Sequence, residues 1–160
     1  MVDEIWKYLE EVSDPEIPVI SVIDLGVVRM VEALEHGGIR ITITPTYSGC
    51  PAMTEMAMGI RLKLIEKGFR NIEIVEQLSP AWTTAWMSDA GKAKMKAYGI
   101  APPLPVSPDG GLFDEPTGIA CPQCGSMQTV LISEFGSTAC KALYQCEVCR
   151  EPFDYFKCHH

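Results

Sequence analysis

Apolar and polar positions switch between two periods over the first hundred residues. In "VDEIWKYLEEV", Val2, Ile5, Trp6 and Leu9 recur at helical spacing with acidic residues opposite, which predicts an amphipathic helix. Asp14 precedes Pro15 and is biased away from helical dihedrals, so this helix is expected to stop near Ser13. "VVRMVEAL" and "IRITITPT" read as two strands, with the glycines of "EHGG" turning a hairpin between them. In the second strand Ile39, Ile41 and Ile43 alternate with Arg40, Thr42 and Thr44, the pattern of one buried face. The helical period returns in "YSGCPAMTEMAMGIRLKLIEKG". There Pro51 suits a first turn, Gly68 suits an end, and Met53, Met56, Ala57, Ile60, Leu64 and Ile65 form the apolar stripe. "NIEIVEQ" is another alternating strand, and "DAGKAKMKAYG" is a helix stopped by Gly99.

Residues 1–100 thus predict an α+β domain ordered helix, hairpin, helix, strand, helix. Residues 101–119 contain five prolines and three glycines, which leaves little room for a regular element and predicts a linker. Residues 120–160 form a separate cysteine-rich unit, expected to be a zinc ribbon. Within it "TVLIS" and "EPFDYF" are the expected strands, and Val130, Leu131, Ile132, Leu143, Phe153 and Phe156 are expected to finish the packing.

Composition narrows the function classes. No apolar run approaches the ~18 residues of a membrane-spanning helix. The acidic, amphipathic N-terminus lacks the basic start and apolar stretch of a secretion signal, so a cytoplasmic protein is expected. The cytoplasm is reducing, and seven cysteines cannot all pair, so metal binding or thiol chemistry is the better starting point than disulfides. The formal net charge is −8. Residues 1–119 carry 10 basic and 17 acidic groups, net −7, and residues 120–160 carry 3 and 4, net −1. Neither part has the positive field that attracts phosphate backbones, which argues against a nucleic-acid partner.

Cys121-Pro-Gln-Cys124 and Cys146-Glu-Val-Cys149 share one spacing, with 21 residues between them. Two intervening residues let both sulfurs of a knuckle reach one ion, and two knuckles complete a tetrahedron. Gly125 follows the first knuckle, where a tight turn favours a residue without Cβ. A unit this small buries little surface, and structural zinc contributes on the order of 10–16 kcal/mol to such folds. Zinc is therefore the first expectation. Four thiolates also suit iron, either as a rubredoxin-type centre or as a cluster. Cys140 lies off the knuckle spacing and is either a small buried hydrophobe or a spare thiol that receives or passes metal. Cys158, His159 and His160 could bind metal weakly or be a frayed end, and no function is placed there.

Cys50 stands alone between a strand and a helix. Near a helix N-cap, the dipole and free N–H groups lower a thiol pKa, so Cys50 is a candidate reactive or metal-carrying thiol; the alternative is a buried structural cysteine. Gly49 allows close approach of a partner. No His, Asn or Asp adjoins Cys50 in sequence to suggest a catalytic dyad. Asp14, Glu16 and Asp24 could orient the Cys50 loop, or simply form turns. Trp82 and Trp86, four apart, are expected core or interface aromatics.

"DPEIPVISVIDLGVV" followed by "TPTYSGCPA" resembles the small α+β domain shared by cytosolic iron–sulfur targeting factors and bacterial iron–sulfur assembly accessory proteins. That resemblance spans about residues 1–100 and implies cluster or iron handling at Cys50. The same domain together with the proline-rich linker, "CPQCGS" and "FGSTACKALYQCEVCREPFDYFK" resembles the D-component family of bacterial phenylacetyl-CoA ring epoxidase systems over nearly the full length. The resemblance implies a non-catalytic accessory of aerobic phenylacetate degradation. Its partners would be the oxygenase and reductase components, and its role would be maturation of a metal centre by transient iron or iron–sulfur cluster delivery. "STACKA" belongs to that pattern, which raises the interest of Cys140. Two other classes stay open: a structural component of the epoxidase complex, and a rubredoxin-like electron-transfer protein. An acidic helical surface with exposed tryptophans would permit a homodimer.

Overall fold

A computed structural model of the chain describes residues 1–46, 50–103, 119–136 and 141–156. The chain divides into two compact units, Met1–Gly91 and Lys92–His160. The first contains helix α1 (Val2–Leu9), strands β1 (Val28–Ala33) and β2 (Ile39–Ile43), helix α2 (Ala52–Glu66), strand β3 (Ile72–Glu76) and a 3-10 turn at Thr84–Trp86. The division falls inside helix α3 (Asp89–Tyr98). The second unit adds β4 (Ile100–Ala101), β5 (Thr129–Ser133), β6 (Lys141–Cys146) and β7 (Pro152–Phe156). Among the described residues no helix is long and apolar enough to cross a membrane.

In the first unit β1 and β2 form the predicted hairpin, with Val31 opposite Ile41 and Gly37 at φ 78 in the turn. The β3 strand joins the other side of β2 in parallel, Ile41 beside Ile74, after the crossover through α2. Parallel pairing needs such a crossover. The central strand is covered more fully than simple alternation predicts: Thr42 and Thr44 are buried along with the three isoleucines. The expected polar face of β2 is therefore an interior face. On α2, Met53, Met56, Ile60 and Leu64 turn inward as the stripe requires, but Ile65 is 52% exposed, one position past the packed face.

The α1 helix ends four residues short of the expected Ser13. Its last turns close through i→i+3 bonds from Glu11 N–H to Tyr8 O and from Val12 N–H to Leu9 O. The chain is then held by tertiary pairing, as Asp14 N–H donates to Ile20 O and Val22 N–H to Val12 O. Tertiary hydrogen bonds thus override a propensity that would have carried the helix further. Ile5 and Leu9 are fully buried on α1, each contributing about 1.5–3 kcal/mol of apolar burial. Trp82 is a core residue and no exposed aromatic, at 1% exposure with its indole N–H donating to Leu25 O at 2.9 Å. Trp86 is half-buried beneath the Arg29 guanidinium, 3.6 Å from the ring centroid.

The second unit is a four-stranded sheet in the order β4-β7-β6-β5. Sequence pattern anticipated β5 and β7 but not β6 or β4. Ala101 and Ile119, at the two ends of the expected linker, are both 2% exposed and belong to the core of this unit. Residues 104–118 of that linker lie outside the described residues. The core gathers Tyr144, Phe153 and Tyr155 around Cys121 and Cys146. Tyr144 stacks on Phe153 at 5.9 Å and meets Tyr155 edge-on at 5.7 Å, arrangements favoured by the ring quadrupole. Val130, Leu131 and Ile132, expected to finish this core, are 42%, 36% and 52% exposed instead. Among the described residues the β5 strand has a neighbour on one side only; Phe153 and Phe156 are buried as expected, and Tyr144 and Tyr155, which the apolar runs of the sequence did not reveal, join them inside.

Gly26 lies at φ 78, and a Cβ there would sit 2.3 Å from the Trp86 carbonyl oxygen. Gly37 has the same φ with open space around it. Gly37→Ala is expected to cost about 1 kcal/mol from the left-handed backbone alone, and Gly26→Ala at least about 3 kcal/mol as the clash adds to it. Urea unfolding midpoints of the two variants, at unchanged slope, check the difference.

Candidate functional site

Two features of the sequence carried chemistry, and they lie one in each unit. In the second, Cys121 and Cys124 come from one knuckle and Cys146 and Cys149 from the other, with all four sulfurs within 4.8 Å of one another. Cys121 Sγ is 3.7 Å from Cys149 Sγ, and Cys124 Sγ is 3.5 Å from Cys146 Sγ. A tetrahedral ion bound at about 2.3 Å places its sulfurs roughly 3.8 Å apart, so the quartet fits a single closed four-thiolate ion site.

The two knuckles repeat one local design. In each, the first cysteine's N–H donates to the carbonyl five residues on, Cys121 to Ser126 and Cys146 to Glu151. In each, an amide turns back on the first sulfur, Gln123 N–H on Cys121 Sγ at 3.4 Å and Cys149 N–H on Cys146 Sγ at 3.5 Å. The residue after the second cysteine is left-handed in both, Gly125 at φ 77 and Arg150 at φ 66. Only the first of these is a glycine, so the second knuckle holds a strained backbone in place.

The thiols do not ionise alike. Donation by the Cys149 backbone N–H, together with that of Val148 and the neighbouring thiols, draws Cys146 down to about 6 against the opposing effect of burial. For Cys149 a backbone hydrogen bond at Glu151 acts downward, but desolvation and the three surrounding thiols outweigh it and push the thiol up to about 12. Cys146 is therefore the readier thiolate of the two, and closing the site on a cation requires the protons of the thiols to leave.

In the first unit Cys50 is buried, 8% exposed, immediately before Pro51, the N-cap of α2. Its carbonyl accepts the Met53 N–H at 3.2 Å, so the backbone of Cys50, one residue outside the cap, closes the first turn. The Thr46 hydroxyl donates toward Cys50 Sγ at 4.0 Å. Thr42, Thr44 and Thr46 are all buried, and Thr44 Oγ1 has no hydrogen-bond partner among the described residues. Sequence reading missed Thr46; its signal was the alternation that continues past β2 with a hydroxyl at every inward step.

Asp14 and Asp24 are 5% and 9% exposed, and Glu16 is half-buried. Asp14 Oδ1 accepts the amides of Glu16 and Ile17 at 2.7 and 2.8 Å. Asp24 Oδ2 accepts the Ser21 amide while Ser21 Oγ accepts the Asp24 amide, a reciprocal pair. Asp24 Oδ1 also accepts the Ser88 hydroxyl at 2.9 Å, and that hydroxyl accepts the Gly91 amide in the first turn of α3. These carboxylates organise the loop from residue 14 to residue 24 and tie it to the start of α3. Gly49, Cys140, Cys158, His159 and His160 lie outside the described residues.

The two parts match two families. Residues 2–67 match the model of the iron–sulfur cluster assembly protein family, and residues 106–157 match that of the PaaD zinc beta ribbon domain. The class is thus an assembly-type α+β domain joined to a zinc ribbon. A relative from Escherichia coli (strain K12), described as the D component of 1,2-phenylacetyl-CoA epoxidase, is 51% identical over 157 residues, 98% of this chain and 93% of the relative. The chain belongs to that D-component family. An Fe-S protein maturation auxiliary factor from Porphyromonas gingivalis (strain ATCC BAA-308 / W83) is 34% identical over 88 residues, 54% of this chain and 83% of that protein. The crystal structure of a domain of unknown function, DUF59, from Bacillus anthracis has a TM-score of 0.55 and 28% identity, covering 59% of this chain and 90% of that one.

Cys121→Ser is expected to abolish tight metal retention and unfold the second unit, with little effect on the first. Metal content per chain and amide exchange resolved by segment check both halves of the statement. Arg150→Gly relieves the left-handed strain and is expected to stabilise the metal-loaded ribbon by about 1 kcal/mol. Resistance to a competing chelator measures it.

Proposed function

We propose that this chain is a non-catalytic accessory of a phenylacetyl-CoA epoxidase system, acting in the cytoplasm to assist loading of iron or an iron–sulfur cluster into an oxygenase or reductase component. The observation that carries this reading is Cys50. It is a buried thiol at the start of α2, beside a threonine hydroxyl, in a domain matched by the assembly family. End-to-end identity with an epoxidase D component supplies the choice of client. One thiolate binds a soft metal with too few donors to hold it permanently, which suits a carrier that must release its cargo. Asp14, Glu16 and Asp24 support the loop, and Cys140 is an accessory thiol of the ribbon.

The quartet Cys121, Cys124, Cys146 and Cys149 holds structural zinc on this reading. Its closed sulfur shell, buried on one side by Tyr144 and Phe153, leaves no coordination position for substrate. The ion supplies folding energy to the second unit. Zinc at about one per chain in a colourless protein is the expected analysis, and stoichiometric iron with visible absorption would reassign the site to electron transfer.

Cys50→Ser is the test of the carrier role. The variant should fold and keep its zinc, while the epoxidase system assembled with it should be poor in iron and lose at least about tenfold of its activity. Fully metallated, active epoxidase from cells carrying the variant would overturn the proposal. Stable stoichiometric co-purification with the oxygenase in that case would identify a structural component of the complex.

A further inference from the structure

Among the described residues the ribbon leaves one strand uncovered: β5 is the edge of its sheet, hydrogen-bonded to β6 alone. Beyond Thr129, whose hydroxyl donates to Ile119 O at 2.7 Å, its outer backbone groups from Val130 to Ser133 face no described strand. Val130, Leu131 and Ile132 are 42%, 36% and 52% exposed, and Met127 before the strand and Phe135 after it are 58% and 59% exposed. Ser133 Oγ accepts the Phe135 amide and donates to the Phe135 carbonyl, an ST turn that ends the strand. Glu147 N–H donates to Gln128 O, which sets the second knuckle beside the start of β5 and brings in Val148, 59% exposed.

Edge strands in soluble proteins are ordinarily blunted by charge, proline or cover. From Gly125 to Ser133 this one contains no charged residue and no proline. A bulge between Leu131 and Ser133 twists it but leaves its apolar side chains outward. A neutral, apolar, open edge of this kind is a template for pairing.

We propose that β5 is a self-association edge, pairing antiparallel with β5 of a second copy across a twofold axis. Charge selects this occupant. The chain carries −8, so most of its surface repels its own copy, whereas the uncharged stretch 125–133 meets itself without like-charge opposition. Centred on Leu131, such a pairing sets Val130 opposite Ile132, apolar against apolar. A twofold axis lets one strand's unpaired N–H and C=O groups satisfy those of its copy.

The test uses the full metal-loaded chain in sedimentation experiments over a range of concentrations. The wild type is expected at twice its 17.6 kDa chain mass. Val130→Lys with Ile132→Lys places charges at two exposed positions and sets them against each other across the axis. It is expected to raise the dimer dissociation constant at least about 100-fold. Unchanged metal per chain shows that the variant ribbon is folded. Amide exchange at Val130–Ser133 should be slow in the wild type and fast in the variant. A wild type that stays monomeric overturns the proposal, and protected β5 amides in that monomer would assign the cover to the chain itself. A dimer that survives both lysines, or whose β5 amides are unprotected, overturns it as well.

Discussion

Four sulfurs brought to one point are the constraint on which the second unit depends. The described core of that unit is three aromatic rings, a few small or aliphatic side chains such as Ala101, Ile119 and Ala142, and the cysteines themselves. Domains of this size bury too little surface for hydrophobic burial to exceed chain entropy by much. Closing the quartet fixes both knuckles, and the knuckles fix the start of β5, the end of β6 and the approach to β7. The cost is visible at Arg150, held left-handed where Gly125 does the same task without strain. A fold that tolerates a strained arginine there gains more from the closed sulfur shell than it loses in backbone energy.

The first unit is held by a different device. Between α1 and β1 the chain runs for eighteen residues, 10–27, with no long element. Three buried polar side chains, Asp14, Ser21 and Asp24, replace the hydrogen bonds that a helix or strand would supply. Buried carboxylates are tolerable only when their oxygens are satisfied, and here the acceptors meet backbone amides and the Ser88 hydroxyl. Ile17, Ile20, Val22 and Leu25 enter the core from the same loop at 1% exposure or less. The turn thus acts as a packed layer, and Trp82 locks onto it through the Leu25 carbonyl.

Much of this was legible in the sequence, for identifiable reasons. The hairpin, α2, β3 and α3 follow from strong periodicity bounded by glycine and proline. The quartet follows from spacing alone, because two CxxC units of equal spacing offer four sulfurs to one tetrahedral ion. What failed were statements about which face is covered. Thr42 and Thr44 look solvent-facing by alternation, yet a central strand is packed on both sides. "TVLIS" looks like core by hydrophobicity, yet it is an edge. Periodicity reports which residues share a side; it is silent on whether anything packs there. The strands β4 and β6 were missed because a two-residue strand has no period, and because Lys141 and Gln145 break the apolar pattern of "KALYQC". Thr46 was not singled out because the alternation that marks it as inward says nothing of its contact with a sulfur four residues on.

The separation of thiols between the two units bears on the proposed role. A protein that carries a soft metal at one cysteine and is built on another soft metal at four must keep the two from exchanging. Donor number does this. Four thiolates in a closed shell bind by chelation, and releasing the ion means breaking several bonds and unfolding the knuckles with them. A lone thiolate makes one such bond, so its cargo passes readily to a client that offers more donors. The permanent site and the transient one then need no selectivity for different metals, since one chain distinguishes them by how many sulfurs it supplies.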